Sequence, residues 1–172
     1  MRPKDRIMDL GAGNQKLRKY IPDNCDYVPV DCTDKLANTF VVDFNDEFRL
    51  PEGKFDVIVS LGFVEYLVDL DDFMDKLSTH SDGTFFLFTY AYFKDNPGKG
   101  KFKKLNKLRT FDEVQEKFSN YLEDLRPILH LKKAALFSGT LTSKRTNKPT
   151  LTKSLNDSLP LPKFRDYLFT RR

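Results

Sequence analysis

Arg6-Ile7-Met8-Asp9-Leu10-Gly11-Ala12-Gly13 is the stretch on which the fold turns. A short apolar run ends in an acidic residue and passes straight into two glycines, which permit a tight turn and close backbone approach. Working outward, Lys16 to Tyr20 reads as a short helical stretch ended before Pro22. Tyr27-Val28-Pro29-Val30 leads to Asp31, and Phe40-Val41-Val42 leads to Asp43. Pro29 has no amide to donate, so it is expected at an edge or outside the regular ladder. Phe55-Asp56-Val57-Ile58-Val59-Ser60 is the clearest strand, β-branched and followed by Leu61-Gly62.

Leu67 to Leu77 has the helical period, with Leu67, Leu70, Phe73, Met74 and Leu77 on one side. Thr84 to Phe93 follows the Ser81-Asp82-Gly83 turn as an aromatic strand. Thr110 is placed to cap a helix over Phe111 to Tyr121, with Glu113 completing a capping box. A last strand is expected within 136–142, while 122–135 shows no clear period. Strands alternating with short helices at this spacing predict an α/β fold with a mostly parallel sheet covered on both faces.

The chain has 172 residues and a formal charge of +4. One domain is the default at this length, able to bury roughly 70% of its unfolded surface without disulfides or metal. Sixteen Phe and seven Tyr exclude wholesale disorder. Cys25 and Cys32 form neither a disulfide scaffold nor a zinc knuckle with His80 and His130, so no metal site is expected. No apolar run reaches membrane-spanning length and no signal-peptide layout opens the chain, which predicts a cytoplasmic protein without a membrane span.

The net charge conceals a segregation. Residues 1–93 carry 10 basic and 17 acidic groups, a net of −7. Residues 94–109 carry +6, residues 110–143 carry −1, and residues 144–172 carry +6. The expected organisation is therefore a domain over 1–143, interrupted by a basic loop at 94–109, and a basic tail over 144–172.

Three carboxylates, Asp9, Asp31 and Asp43, end three successive strands, where ligands of doubly wound sheets bind. Asp31 follows Gly13 by eighteen residues, near the spacing of a carboxylate that grips ribose hydroxyls. A nucleoside-bearing cofactor is the reading of this pattern. A dinucleotide is disfavoured, because Lys16 stands where the third glycine of Gly-x-Gly-x-x-Gly belongs. Asp9 would also repel a pyrophosphate and would suit an ammonium instead.

The run Asp9-Leu10-Gly11-Ala12-Gly13-Asn14-Gln15, with Asp31, Asp43-Phe44 and Phe55 to Leu67, resembles the class I S-adenosylmethionine-dependent methyltransferases. The resemblance covers residues 5 to 93 and fades to generic spacing by 143. It implies a three-layer Rossmann-like fold, here without the usual N-terminal helix, and S-adenosyl-L-methionine as cofactor. By position it implies that Asp9 orients the glycine loop and the cofactor's amino group, with Gly11, Ala12 and Gly13 against the methionine part. Asp31 would bind the ribose with Cys32 beside the adenine, Asp43 would meet the exocyclic amine, and the Phe44 amide a ring nitrogen. Ser60, Leu61 and Gly62 would line the path to the sulfonium. A frequent family glycine is replaced by Gln15, and the histidine that often follows Glu65 is replaced by Tyr66.

Glu65, Tyr66 and Tyr90 are the candidate catalytic residues, with Tyr66 foremost. Tyr92 and Phe93 are candidate walls of an acceptor pocket. Expected partners are an anionic or small-molecule acceptor, with residues 94–109 as a basic lid hinged on Gly98 and Gly100. RNA is the alternative acceptor, weakened by Ser60-Leu61-Gly62-Phe63 where base-amino methylating enzymes carry an Asn-Pro-Pro-Tyr-like motif. A binding or partner domain without turnover is the non-enzymatic alternative. A homodimer would be one way to close the sheet face left by the missing helix.

Overall fold

The computed structural model describes Arg2, residues 4–92 and residues 108–143. Seven strands form one sheet in the order β3-β2-β1-β4-β5-β7-β6. They are β1 (Arg6–Leu10), β2 (Asp26–Asp31), β3 (Phe40–Val41), β4 (Val57–Leu61), β5 (Phe85–Ala91), β6 (Leu122–Leu131) and β7 (Ala134–Leu141). The first five pair in parallel, and β7 runs antiparallel to both β5 and β6. The sheet is thus mostly parallel, with the chain reversing its direction of winding between β1 and β4. That reversal opens a crevice at the carboxyl ends of these two strands.

Pro29 lies inside β2, in register with Asp9. The Val30 carbonyl accepts from the Gly11 and Ala12 amides on the β1 side, whereas the Asp31 carbonyl accepts from Val42 on the β3 side. Alternation therefore turns Pro29 toward β3, which pairs only with Val30 and Asp31. At Pro29 the strand is an edge on that side, so its missing amide breaks no ladder bond.

Two α-helices cover one face: α1 (Leu70–His80) between β4 and β5, and α2 (Phe111–Ser119) between β5 and β6. Asp69 caps α1 by accepting from the Asp72 amide, and Thr110 caps α2 by accepting from Glu113. Glu113 reaches back to the amide of Arg109, one residue beyond the capping-box partner. Leu70, Phe73, Met74 and Leu77 of α1, with Val114 and Phe118 of α2, pack on Met8, Ile58, Phe86 and Phe88. Phe88 stacks between Phe118 at 4.2 Å and Phe137 at 5.3 Å.

The opposite face carries Ile7, Val57, Val59, Leu61, Leu87 and Leu136. Among the described residues, the cluster's members outside the strands are Leu17, Ile21 and Cys25. Leu17 belongs to a 3-10 turn, Lys16–Tyr20, where the sequence predicts a short helical stretch. Residues 93–107 and 144–172 lie outside the described residues, and with them most of the expected basic lid, Phe93 and the basic tail.

Candidate functional site

At the carboxyl end of β1 the chain turns on Gly11 (φ 70°) and Gly13 (φ 52°), both left-handed. The amides of Gly11 and Ala12 converge on the Val30 carbonyl at 2.8 and 3.0 Å. A Cβ at Gly11 would stand 2.6 Å from the Phe63 Cβ, so this glycine admits the chain that leaves β4. At Gly13 the nearest heavy atom to such a Cβ is 4.0 Å away. Of the two glycines, Gly13 has the open side.

Asp31, at the end of β2, accepts from the Gly13 amide through Oδ2 at 2.8 Å. Its Oδ1 accepts from the Thr33 amide and hydroxyl at 3.1 and 3.0 Å. Oδ2 keeps one acceptor site, and the Thr33 hydroxyl on Oδ1 is a rotor that another hydroxyl can replace, so the group can take hydroxyl donors beside the glycine turn. Asp9 is buried beneath that turn and accepts from the Tyr27 hydroxyl at 2.5 Å. Cys32 is exposed, and burial of its sulfur together with the Asp31 and Asp43 carboxylates pushes its thiol pKa up.

Gln15 stands at φ 49°, ψ 37°, a backbone conformation that glycine adopts at no steric cost. Its Nε2 donates to the Thr39 hydroxyl at 3.0 Å and to the Ala37 carbonyl at 3.3 Å, tying the turn to the chain between β2 and β3. The turn keeps the backbone form that a glycine would give, and the longer side chain supplies the offsetting bonds.

Beyond β3, Asp43 is exposed and its carboxylate accepts from the Asn45 amide at 2.9 Å. Phe44 is buried in an aromatic cluster with Phe48, Phe63 and Phe73 at centroid distances of 5.0 to 5.3 Å. Asn45 accepts from the Val68 amide at 2.7 Å and donates to the Tyr66 carbonyl at 3.4 Å. The segments after β3 and β4 are thereby fastened to each other.

At the end of β4, Ser60 and Leu61 are buried in the sheet, and the Gly62 amide donates to the Thr89 hydroxyl at 2.7 Å. The Ser60 Oγ makes no hydrogen bond among the described residues. Glu65 lies in a 3-10 turn, Val64–Tyr66, and is 2% exposed. Tyr90 is fully buried, and its pKa is pushed far above the ordinary phenol value by burial first and the Glu65 charge second. A backbone hydrogen bond from Leu108 opposes that shift, and the Glu113 charge adds slightly to it. A phenol so held is a proton donor at neutral pH and not a base. Tyr66 is half-buried, the least enclosed of the three candidate catalytic residues.

Tyr92 donates its hydroxyl to the Leu131 carbonyl at 2.8 Å and so pins the turn between β6 and β7. Tyr27, the residue that sequence reasoning passed over, is brought to Asp9 by the register of β1 on β2. A groove of about 580 Å³ along α1, lined by Phe48, Arg49, Leu50 and His80 among others, includes none of the strand-end residues. The crevice at the strand ends, where ligands of doubly wound sheets bind, gathers Asp9, Asp31 and the glycine turn, so it is the candidate site. Among the described residues no cluster of His, Cys, Asp and Glu could hold a metal ion, and no helix is long and apolar enough to cross a membrane.

No family model and no curated protein sequence matches this chain. Solved structures do. An S-adenosylmethionine-dependent methyltransferase from Mesorhizobium loti superposes with a TM-score of 0.60 at 15% identity, over 81% of this chain and 93% of that one. One from Aquifex aeolicus gives 0.55 at 13% identity, over 82% and 84%. The N-methyltransferase NodS from Bradyrhizobium japonicum WM9, in complex with S-adenosyl-L-homocysteine, gives 0.56 at 12% identity, over 80% and 78%. At these identities the likeness is one of architecture: the chain has the Rossmann-like fold of class I methyltransferases.

Proposed function

We propose that this protein binds S-adenosylmethionine and transfers its methyl group to a small-molecule, glycan or phosphorylated-precursor acceptor. The observation that carries the reading is Asp31. Its carboxylate closes β2 beside the open Gly13, 2.8 Å from that residue's amide, at the crevice where the sheet reverses its winding. A nucleoside ribose offers two neighbouring hydroxyl donors, which one carboxylate can accept together. The buried Ser60 hydroxyl, without a described partner, and the Asp9 carboxylate under the turn suit the polar and cationic parts of the same ligand.

Bound S-adenosylmethionine would supply a methyl on a sulfonium, which an acceptor lone pair takes while the carbon–sulfur electron pair returns to sulfur. The protein's share is alignment of the two partners near contact distance. Asp31 fixes the ribose and Cys32 flanks the adenine. Asp43 and the Phe44 amide meet the adenine edge, while Gly11, Ala12 and Gly13 face the methionine part. Ser60, Leu61 and Gly62 form the wall toward the sulfonium. Tyr66 orients the acceptor, while Glu65 and Tyr90 are buried. Tyr90, held protonated at neutral pH, takes no proton from the acceptor.

The two +6 segments and the Ser60-Leu61-Gly62-Phe63 sequence favour an anionic acceptor other than a nucleobase. Incubating the purified chain with methyl-labelled S-adenosylmethionine and fractionated cell extract tests this. Label in the small-molecule or glycan fraction supports the reading, and label in RNA moves the acceptor to nucleic acid. Label in no fraction, with S-adenosylhomocysteine still bound, would leave a binding domain without turnover.

A further inference from the structure

β1 and β2 run parallel with Ile7 opposite Tyr27 and Asp9 opposite Pro29. Alternation puts the Asp9 and Tyr27 side chains on the face away from α1 and α2, where Ile7 and Tyr27 share a cluster. Pro29 has no polar group to offer Asp9. The phenol two residues earlier leans toward the carboxyl end of the sheet and reaches the Asp9 Oδ2 at 2.5 Å. Asp9 is 3% exposed, and a carboxylate taken out of water this far is costly unless hydrogen-bonded. The contact has the length of a charge-assisted O–H···O bond. Arg18 lies over the same ring, its guanidinium carbon 5.9 Å from the centroid.

The glycine turn starts two residues after Asp9, and β2 holds it at three successive levels. Tyr27 holds Asp9, the Val30 carbonyl holds the Gly11 and Ala12 amides, and the Asp31 carboxylate holds the Gly13 amide. The last two can be met by any chain with this backbone and an acid at 31. The first is made by the Tyr27 side chain.

We infer that Tyr27 is a positioning residue for the amino-acid end of the cofactor: its hydroxyl fixes the Asp9 carboxylate in the orientation that receives an α-ammonium group across the glycine turn. The inference rests on the methyltransferase reading above. It adds a residue that neither the glycine motif nor the strand-end acids disclose. It also predicts which part of the ligand feels the loss.

Two ligands separate positioning from general loosening. S-adenosylhomocysteine carries the amino-acid group, and 5′-methylthioadenosine keeps the adenosine and thioether without it. Calorimetric titration of the full chain and its Tyr27→Phe variant is expected to show S-adenosylhomocysteine weakened about tenfold and methylthioadenosine by less than about twofold, the loss of one charge-assisted hydrogen bond felt at one end of the ligand. Asp9→Asn, which keeps the shape and removes the charge, is expected to give the same selective loss, with no further loss in the double variant.

Equal weakening of both ligands in either variant would overturn the inference, because it would mark a general loosening of the turn. Unchanged affinities would overturn it as well. Both outcomes leave the methyltransferase reading standing. Failure of the unaltered chain to bind S-adenosylhomocysteine would overturn that reading and this inference together.

Discussion

The carboxyl ends of β1 and β2 and those of β4 and β5 both finish in polar residues, yet the two halves of the sheet use them differently. At β1 and β2 the polar groups meet one another at the crevice, and Gly13 leaves open space beside the Asp31 carboxylate. At β4 and β5 they turn inward, with Ser60, Glu65 and Tyr90 all within 2% of complete burial. The first half leaves a polar, open side. The second buries its polar groups, and Tyr66 is its least enclosed candidate. A methyl donor already activated as a sulfonium suits this division, because positioning carries most of the chemistry and a base is optional.

The contrast breaks most easily at the glycines. Gly11 serves packing against the β4 side, and Gly13 serves the crevice. Gly11→Ala combines a left-handed backbone with a 2.6 Å approach to Phe63. It is expected to cost about 3 kcal/mol in urea unfolding, from strain and overpacking together. Gly13→Ala, with the backbone term alone, is expected to cost about 1 kcal/mol. Equal costs at the two positions would remove the distinction between them.

Tyr90 and Tyr66 sharpen it further. Tyr90→Phe loses a buried hydrogen bond and is expected to lower stability by about 1 kcal/mol while leaving S-adenosylhomocysteine affinity within about twofold. Burial first, and the Glu65 charge second, raise the Tyr90 pKa, so the folded state keeps a proton that the unfolded chain releases near pH 10. The sign follows: this phenol's contribution is fully present below about pH 10 and falls as pH rises beyond it. An alkaline stability profile should therefore fall less steeply in Tyr90→Phe than in the parent. Tyr66→Phe should do the reverse of Tyr90→Phe, slowing methyl transfer with stability changed by less than about 0.5 kcal/mol. An unchanged transfer rate in that variant would remove Tyr66 from the site.

The smallest effect is expected at Gln15. Replacing it with glycine relieves a left-handed backbone worth about 1 kcal/mol but deletes the bonds to Thr39 and Ala37, so the net change should stay under about 0.5 kcal/mol. A larger loss would show that the side-chain bridge, and not the backbone form, holds the turn.

Much of this arrangement is legible in the chain itself. The apolar runs at 6–10 and 57–61 and the aromatic run at 85–91 carry strand patterns strong enough to give the central sheet. The acids that follow 8, 30 and 42 mark the carboxyl ends of β1, β2 and β3. β6 is not legible, because Glu123, Asp124, Arg126 and Pro127 interrupt the alternation and the strand answers with register shifts beside Glu123/Arg126 and Pro127/Leu129. α1 starts at Leu70 and not at Leu67, since Asp69 takes the cap and Leu67 is extended. The burial of Glu65 and the bond from Tyr27 to Asp9 depend on how strands register and turns pack. Neither leaves a mark in residue spacing.

The central claim is that Asp31, beside the glycine turn, holds the ribose of S-adenosylmethionine, and calorimetric titration with S-adenosylhomocysteine tests it most directly. The account predicts one ligand per chain for the unaltered protein and binding about 100-fold weaker in Asp31→Ala, the loss of two charge-assisted hydrogen bonds to the ribose. Equal affinities in the two proteins, or no heat of binding from the unaltered chain, would contradict it.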